Sequence, residues 1–172
     1  MNVRIRPGRS EDAAALPAIE RAAGALFRTV PELAWIADHD VLDRDDHLEA
    51  ILRDDGGHWV ADVDGALAGF LVGQRDGEGF HIWELAVDIA YQGKGVGRAL
   101  VTTACDHARG AGCAAVTLTT FRAVPWNEPF YQRMGFVTLT DDALDQRLRD
   151  VLAHEIEIGL PGERRCAMRL LL

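Results

Sequence analysis

Along the chain, hydrophobic and polar positions switch between a two-residue period and a helical one, so strands and helices are both expected. Residues 2–6 alternate as a short first strand that Pro7 and Gly8 end. From Ser10 the period lengthens. Ser10 stands where a helix cap belongs, Glu11 and Asp12 suit the first turn, and Leu16, Ile19, Ala23 and Leu26 or Phe27 share a face. Over residues 28–55 the pattern blurs. Pro31 interrupts it, residues 33–37 read as a short helix, and residues 46–53 as another with Leu48, Ile51 and Leu52 inward. Residues 58–63 and 67–74 alternate as strands joined across Asp64-Gly65, a hairpin signal. A long strand over 80–87 and a helix over 97–108, with Leu100, Val101, Ala104 and Ala108 buried, follow. A Val- and Thr-rich strand over 115–121, a short helix from Pro125 and Asn127 to Met134 and a strand over 136–139 come next. A helix over 141–152 and a last strand over 165–172 complete the set. With no repeat, linker or low-complexity tract, residues 1–172 read as a single domain.

The strand-to-helix junction at residues 83–98, WELAVDIAYQGKGVGR, carries the strongest chemical signal. Gly93, Gly95 and Gly97 let backbone approach a bulky ligand, and the N–H groups of the following helical turn, at the positive end of its dipole, suit a phosphate. A Walker phosphate loop needs Ser or Thr after its Lys, whereas Lys94 precedes Gly95; the dinucleotide fingerprint needs another glycine spacing. The residues do fit [QR]-x-x-G-x-[GA], with Gln92, Gly95 and Gly97 in the defining places. This resembles the acetyl-CoA loop of the GNAT superfamily of N-acetyltransferases. Asn127-Glu128-Pro129-Phe130-Tyr131, followed by Gly135-Phe136, resembles that superfamily's second signature, and Arg6 to Asp12 is close to its opening R-x-x-x-x-D pattern.

The resemblance implies an α/β (mixed α+β) GNAT acyl-CoA N-acyltransferase fold: a central twisted, mostly antiparallel sheet, splayed at strands 4 and 5 and flanked by helices. It implies that Gln92, Gly93, Lys94, Gly95, Val96, Gly97 and Arg98 hold the coenzyme diphosphate. Leu85, Ala86 and Val87 would pair with the pantetheine amides, and the Val87 N–H would face the thioester oxygen. Tyr131 would protonate the departing thiolate. Asn127 either reaches the coenzyme or caps its helix, since Val124 occupies the place where the family's Asn usually stands. The blurred region borders the acceptor site in this fold, which makes Phe27, Trp35, His39 and His47 candidates for substrate contact, against packing or surface roles.

Acetyl transfer to an amine also needs a base. A primary alkyl amine titrates near about 10.4, so reaching its neutral form at pH 7 costs about 4–5 kcal/mol. Glu84 stands where many GNAT enzymes carry a carboxylate, and His81 about where histone-acetylating relatives keep a catalytic Glu. Either side chain is a workable base, and strand alternation sets them on opposite faces unless a bulge intervenes.

Composition narrows the partners. A net charge of −9 argues against nucleic acid or an anionic membrane and suits a cationic acceptor. Cys105, Cys113 and Cys166 are odd in number and lack metal spacing, so neither disulfides nor a metal site is expected, and a reducing cytoplasm fits. No signal peptide or membrane-spanning run is read. The expectation is an acetyl-CoA-dependent N-acetyltransferase acting on a small primary amine by direct attack in a ternary complex, cytoplasmic and possible as a homodimer. The alternatives are acetylation of protein N-termini or lysines, and a non-catalytic acyl-CoA sensor.

Overall fold

The computed structural model describes residues 1–172 and has a mixed α/β fold with a seven-stranded sheet flanked by helices. The strands are β1 (Val3–Pro7), β2 (Gly56–Val63), β3 (Ala66–Asp76), β4 (Gly79–Val87), β5 (Ala115–Phe121), β6 (Val137–Thr138) and β7 (Arg165–Leu171), hydrogen-bonded in the order β1-β2-β3-β4-β5-β7-β6. The pairs β1–β2, β2–β3, β5–β7 and β6–β7 are antiparallel. The β4–β5 pair is parallel and registers Gly79–Ile82 on Ala115–Leu118, although β4 continues to Val87 and β5 to Phe121. The helices are α1 (Leu16–Gly24), α2 (Arg44–Leu52), α3 (Val96–Gly110), α4 (Glu128–Gln132) and α5 (Gln146–Glu157). No helix is long and apolar enough to cross a membrane.

Two compact units divide the chain. The first comprises Met1–Gln74 and Trp83–His107. Its core gathers Leu16 and Ile19 of α1 with Val60, Phe70, Val72 and Ala86 of the strands, and Ala50 of α2 packs against them. On β2 the neighbours of Val60 turn the other way, where Trp59 meets the ring of His107 on α3 edge-on at 5.1 Å. Strands β3 and β4 approach closely at Gly69: a Cβ there would lie 2.7 Å from the Ala86 carbonyl oxygen and 3.2 Å from Val87 Cγ2.

Helix α1 begins at Leu16, five residues later than a cap at Ser10 would set it, and its N-cap is Ala15. Asp12, expected to serve a first turn, is committed elsewhere: its two oxygens accept from Arg6 at 2.7 and 2.8 Å, and one also accepts the Arg9 N–H at 2.8 Å. The Arg6 bonds hold the Asp12 carboxyl below its ordinary range. Pro17, which lacks an N–H to satisfy, lies in the first turn instead. Helix α2 is set by a capping box, Asp43 accepting from the Asp45 and Asp46 N–H groups while Asp46 accepts from Asp43 N–H at 2.8 Å. Its face is rotated from the expected one, with His47 fully buried and Leu52 66% exposed.

The second unit comprises Arg75–Ile82 and Ala108–Leu172. Leu139, Leu148 and Ala167 form a core that Leu144 and Leu152 extend. Helix α5 starts at Gln146 because Asp145 accepts the Leu148 N–H at 2.8 Å, so the helix expected from residue 141 is one turn of 3₁₀ helix, Asp141–Ala143, and then α5. The strand expected over 136–139 shortens to the two residues of β6. Between β5 and β7, Arg165 sends two bonds of 2.9 Å to Glu155 and lies 4.5 Å from the centre of the Phe121 ring.

Candidate active site

In the first unit, β4 ends at Val87 and the chain turns through Ile89–Tyr91 into the glycine loop. Asp88 starts the turn by accepting the Ala90 N–H at 2.9 Å. The Gln92 side-chain amide donates to the Val87 carbonyl at 2.8 Å and ties the loop to the end of the strand, a structural reason for Gln at this position. Gly93 and Gly95 have φ of 71° and 87°, a region other residues enter only with strain, and nothing lies within 4 Å of a Cβ placed on either. The Ala99 N–H donates to the Gly95 carbonyl at 3.0 Å, opening the ladder of α3, so the N–H groups of Val96, Gly97 and Arg98 stand ahead of the first helical acceptor. The Lys94 ammonium donates to the Ala90 carbonyl at 2.7 Å, and Lys94 and Gly95 are exposed while Gly97 is half-buried. The loop is therefore open, rich in unspent donors and positively charged, as an anionic diphosphate requires. Leu85 and Val87 are half-buried, with Ala86 buried between them.

Glu84 is half-buried on β4 and shares its surroundings with Glu20 of α1. Burial first, and the Glu84 charge second, push the Glu20 carboxyl up to about 8. Glu20 lies between Ile19 and Arg21, on the side of α1 that turns toward the core with Leu16 and Ala23. Glu20 is not among the residues that the motifs single out, although a carboxylate inside an apolar stripe is itself a signal. Phe27 is half-buried in the 3₁₀ turn Ala25–Thr29. Trp35, in the turn Pro31–Asp38, is 41% exposed and meets His39 edge-on at 5.6 Å. His47 is not presented to solvent; it packs edge-on against Phe70 at 4.7 Å in the core.

In the second unit His81 is 1% exposed, with Nδ1 2.8 Å from the Thr117 hydroxyl. Thr117 accepts from Arg147 at 2.9 Å, so its own proton is available to His81 Nδ1. Burial, and then the Arg147 charge, push His81 down to about 3. An imidazole with so low an affinity for protons is a poor acceptor at neutral pH, and the geometry gives it a structural role instead. Asn127 occupies the cap position of α4 but its side chain makes no cap bond; its Oδ1 accepts from the Thr120 hydroxyl of β5 at 3.1 Å. The plain capping explanation therefore fails. Tyr131 is 8% exposed, with its ring edge-on to Phe130 at 5.0 Å and Phe136 at 5.7 Å. All three cysteines are reduced and buried, and burial raises Cys166 to about 11, which leaves it without nucleophilic character.

A glycine loop that follows the central strand β4 of a seven-stranded mixed sheet and opens helix α3 defines the class: an α/β protein with a donor-rich strand-to-helix turn. The family follows from the match of residues 25–136, more than half of the chain, to the model of the Acetyltransferase (GNAT) family, and the chain belongs to that family. Among curated proteins, it is similar to the glucosamine 6-phosphate N-acetyltransferase of Trypanosoma brucei brucei, 38% identical over 33% of this chain and 36% of that protein. It is also similar to glucosamine 6-phosphate N-acetyltransferase 1 of Oryza sativa subsp. japonica, 32% identical over 54% of each chain. The chain thus spans about half or less of the curated relatives it matches. Among solved structures, the PaiA N-acetyltransferase of Thermoplasma acidophilum in complex with coenzyme A superimposes with a TM-score of 0.73 at 19% identity, all of both chains being covered.

Proposed function

We propose that this protein transfers the acetyl group of acetyl-CoA to the primary amine of a small molecule, by direct attack in a ternary complex. The observation that carries the reading is the loop at Gly93–Arg98, where exposed Gly93, Lys94 and Gly95 lead into a helix start, with two left-handed glycines and two cations. Family membership and the names of its relatives, two of which are N-acetyltransferases of an amino sugar, support the same reading.

In this reading Lys94, Arg98 and the loop N–H groups hold the diphosphate, and the β4 backbone over Leu85–Val87 pairs with the pantetheine arm. Asn127, freed from capping, offers its amide to the same arm. Glu84 takes a proton from the acceptor ammonium. The amine nitrogen bonds to the thioester carbonyl carbon, the Val87 N–H stabilises the oxyanion, and the carbon–sulfur bond breaks. Tyr131 protonates the departing thiolate. No cysteine is set up to carry the acetyl group, which favours the direct route. Phe27 and Trp35 lie in the segment where the acceptor would bind.

The test is release of coenzyme A thiol from acetyl-CoA with a panel of polyamines, aminoglycosides, amino sugars, amino acids and short peptides. Turnover on at least one small amine, exceeding that on peptides, is the expected result. Tight binding of acetyl-CoA with no turnover on any amine would point to a sensor and end the enzyme reading.

A further inference from the structure

The second unit holds a cavity of about 170 Å³ that the acetyl-transfer reading leaves unused. It opens beside α5, between β7 and the turns at Asp141–Ala143 and Gly162–Arg164. Leu139, Leu144, Leu152 and Ile156 form its apolar lining, and Ile156 is 56% exposed at the rim. Gly162 closes the rim from the other side. A Cβ there would lie 2.7 Å from Ile156 Cδ1, so a larger residue could not bring the turn so near.

Two charged side chains border this apolar space, and neither is spent on a counter-charge. Arg122 is half-buried: its backbone N–H donates to the Arg164 carbonyl at 2.7 Å and its Nε to the Arg165 carbonyl at 3.0 Å. The guanidinium is thus held in place by main-chain bonds while its two terminal nitrogens enter no ion pair. Glu128 and Glu155, whose charges reach the neighbouring Cys166 together with that of Arg122, are committed elsewhere. Glu155 accepts from Arg165 and Thr119, and Glu128 from the Ala123 N–H and the Thr138 hydroxyl. Asp141 is exposed, and Arg149 donates to its backbone carbonyl instead of its carboxylate. A fixed guanidinium with free terminal nitrogens suits a carboxylate, a free carboxylate suits an ammonium, and an aliphatic lining suits a hydrocarbon chain.

We propose that this cavity binds a free α-amino acid with a branched aliphatic side chain: Arg122 takes the carboxylate, Asp141 the ammonium, and Leu139, Leu144, Leu152 and Ile156 the side chain. The size agrees, since an apolar cavity of about 150 Å³ already admits a benzene ring. The site is separate from the residues given catalytic and coenzyme roles in this unit. Along β5 the side chains alternate, with Thr120 turned to Asn127 and its neighbours Thr119 and Phe121 turned to Glu155 and Arg165. Arg165 and α5 line the cavity, which therefore lies on the face of the β5–β7 pair opposite Asn127. The amino acid is accordingly a bound ligand and not the acetyl acceptor, and the inference stands without the acetyl-transfer reading.

The test is an NMR titration of the full chain, with leucine methyl groups labelled, against free leucine and three truncated relatives. Isocaproate lacks the amino group, isopentylamine the carboxylate, and glycine the side chain. Leucine should bind with a Kd of about 1 mM or tighter, shifting the Leu144 and Leu152 methyls, and each relative about tenfold more weakly or worse. Arg122→Gln should weaken leucine about tenfold while leaving isopentylamine unchanged, and Asp141→Asn should weaken leucine while leaving isocaproate unchanged. Should Arg122→Gln fail to fold, the ligand series on wild type and the surface change Asp141→Asn decide. Saturable shifts absent with leucine, or equal affinity for all four compounds, would overturn the proposal. Release of coenzyme A thiol from acetyl-CoA with leucine, lost in Asp141→Asn, would make the cavity an acceptor site and overturn the separate one.

Discussion

His81 makes the protein's stability acid-sensitive by an amount that can be worked out beforehand. Its pKa falls from 6.5 to about 3 on folding, because the ring is buried and faces Arg147. The unfolded chain therefore binds a proton that the native state refuses between those values, so this contribution is intact above pH 6.5 and is lost as pH falls toward 3. Between pH 7.5 and 4.5 the unfolded histidine gains about two pH units of protonation, or about 3 kcal/mol at 1.36 kcal/mol per unit. His58, pushed down to about 4 by burial and by His47, adds a loss of similar size, while Glu20, raised to about 8, works in the opposite sense. Glu20 adds stability below its ordinary pKa of 4.5 and loses it as pH rises to 8. Comparison of wild type with His81→Gln cancels these other groups. Gln keeps a partner for Thr117 but does not titrate. Urea unfolding followed by tryptophan fluorescence should show the stability difference between the two proteins shift by about 3 kcal/mol in favour of the variant from pH 7.5 to 4.5. A difference constant to within about 0.5 kcal/mol would refute the assignment of a neutral, buried His81.

Other substitutions probe the remaining features. Gly69→Ala sets a Cβ 2.7 Å from the Ala86 carbonyl, and a loss of about 1–3 kcal/mol in urea unfolding is expected, together with weaker coenzyme binding as the end of β4 shifts. Gly95→Ala, at φ 87° with open space around it, should cost only about 1 kcal/mol in stability while weakening acetyl-CoA binding tenfold or more in calorimetry. Tyr131→Phe should keep the fold and coenzyme affinity but lower kcat by about tenfold to a hundredfold; a thiol leaving group needs its proton only in part. Ala123, at φ 58°, is strained, so Ala123→Gly should raise stability by up to about 1 kcal/mol in thermal unfolding.

What the sequence made legible was whatever depends on local geometry. The loop could be read because left-handed backbone at Gly93 and Gly95 restricts the residue type, and Gln92 because its amide must span back to Val87. The β-strands were read nearly to the residue wherever alternation was strong, as over Ala115–Phe121. Competition for one side chain was not legible. Ser10 and Asp12 look like a helix start, yet Arg6 captures Asp12 from across the turn and the helix waits for Pro17. Helix α2 has a weak apolar stripe, so its rotation was decided by His47 finding Phe70 and His58 instead of by Leu52. Glu84 draws attention in the sequence by its place before the loop, whereas Glu20 and His47 come near each other only when α1 and α2 pack, with Glu20 Oε2 3.9 Å from His47 Nε2.

The central claim is that the backbone of residues 93–98 grips the diphosphate of coenzyme A, and a crystal structure of the protein with that ligand tests it most directly. Diphosphate oxygens within hydrogen-bond distance of at least three main-chain nitrogens between Gly93 and Arg98 are expected. Coenzyme bound with its diphosphate on any other surface would contradict the account.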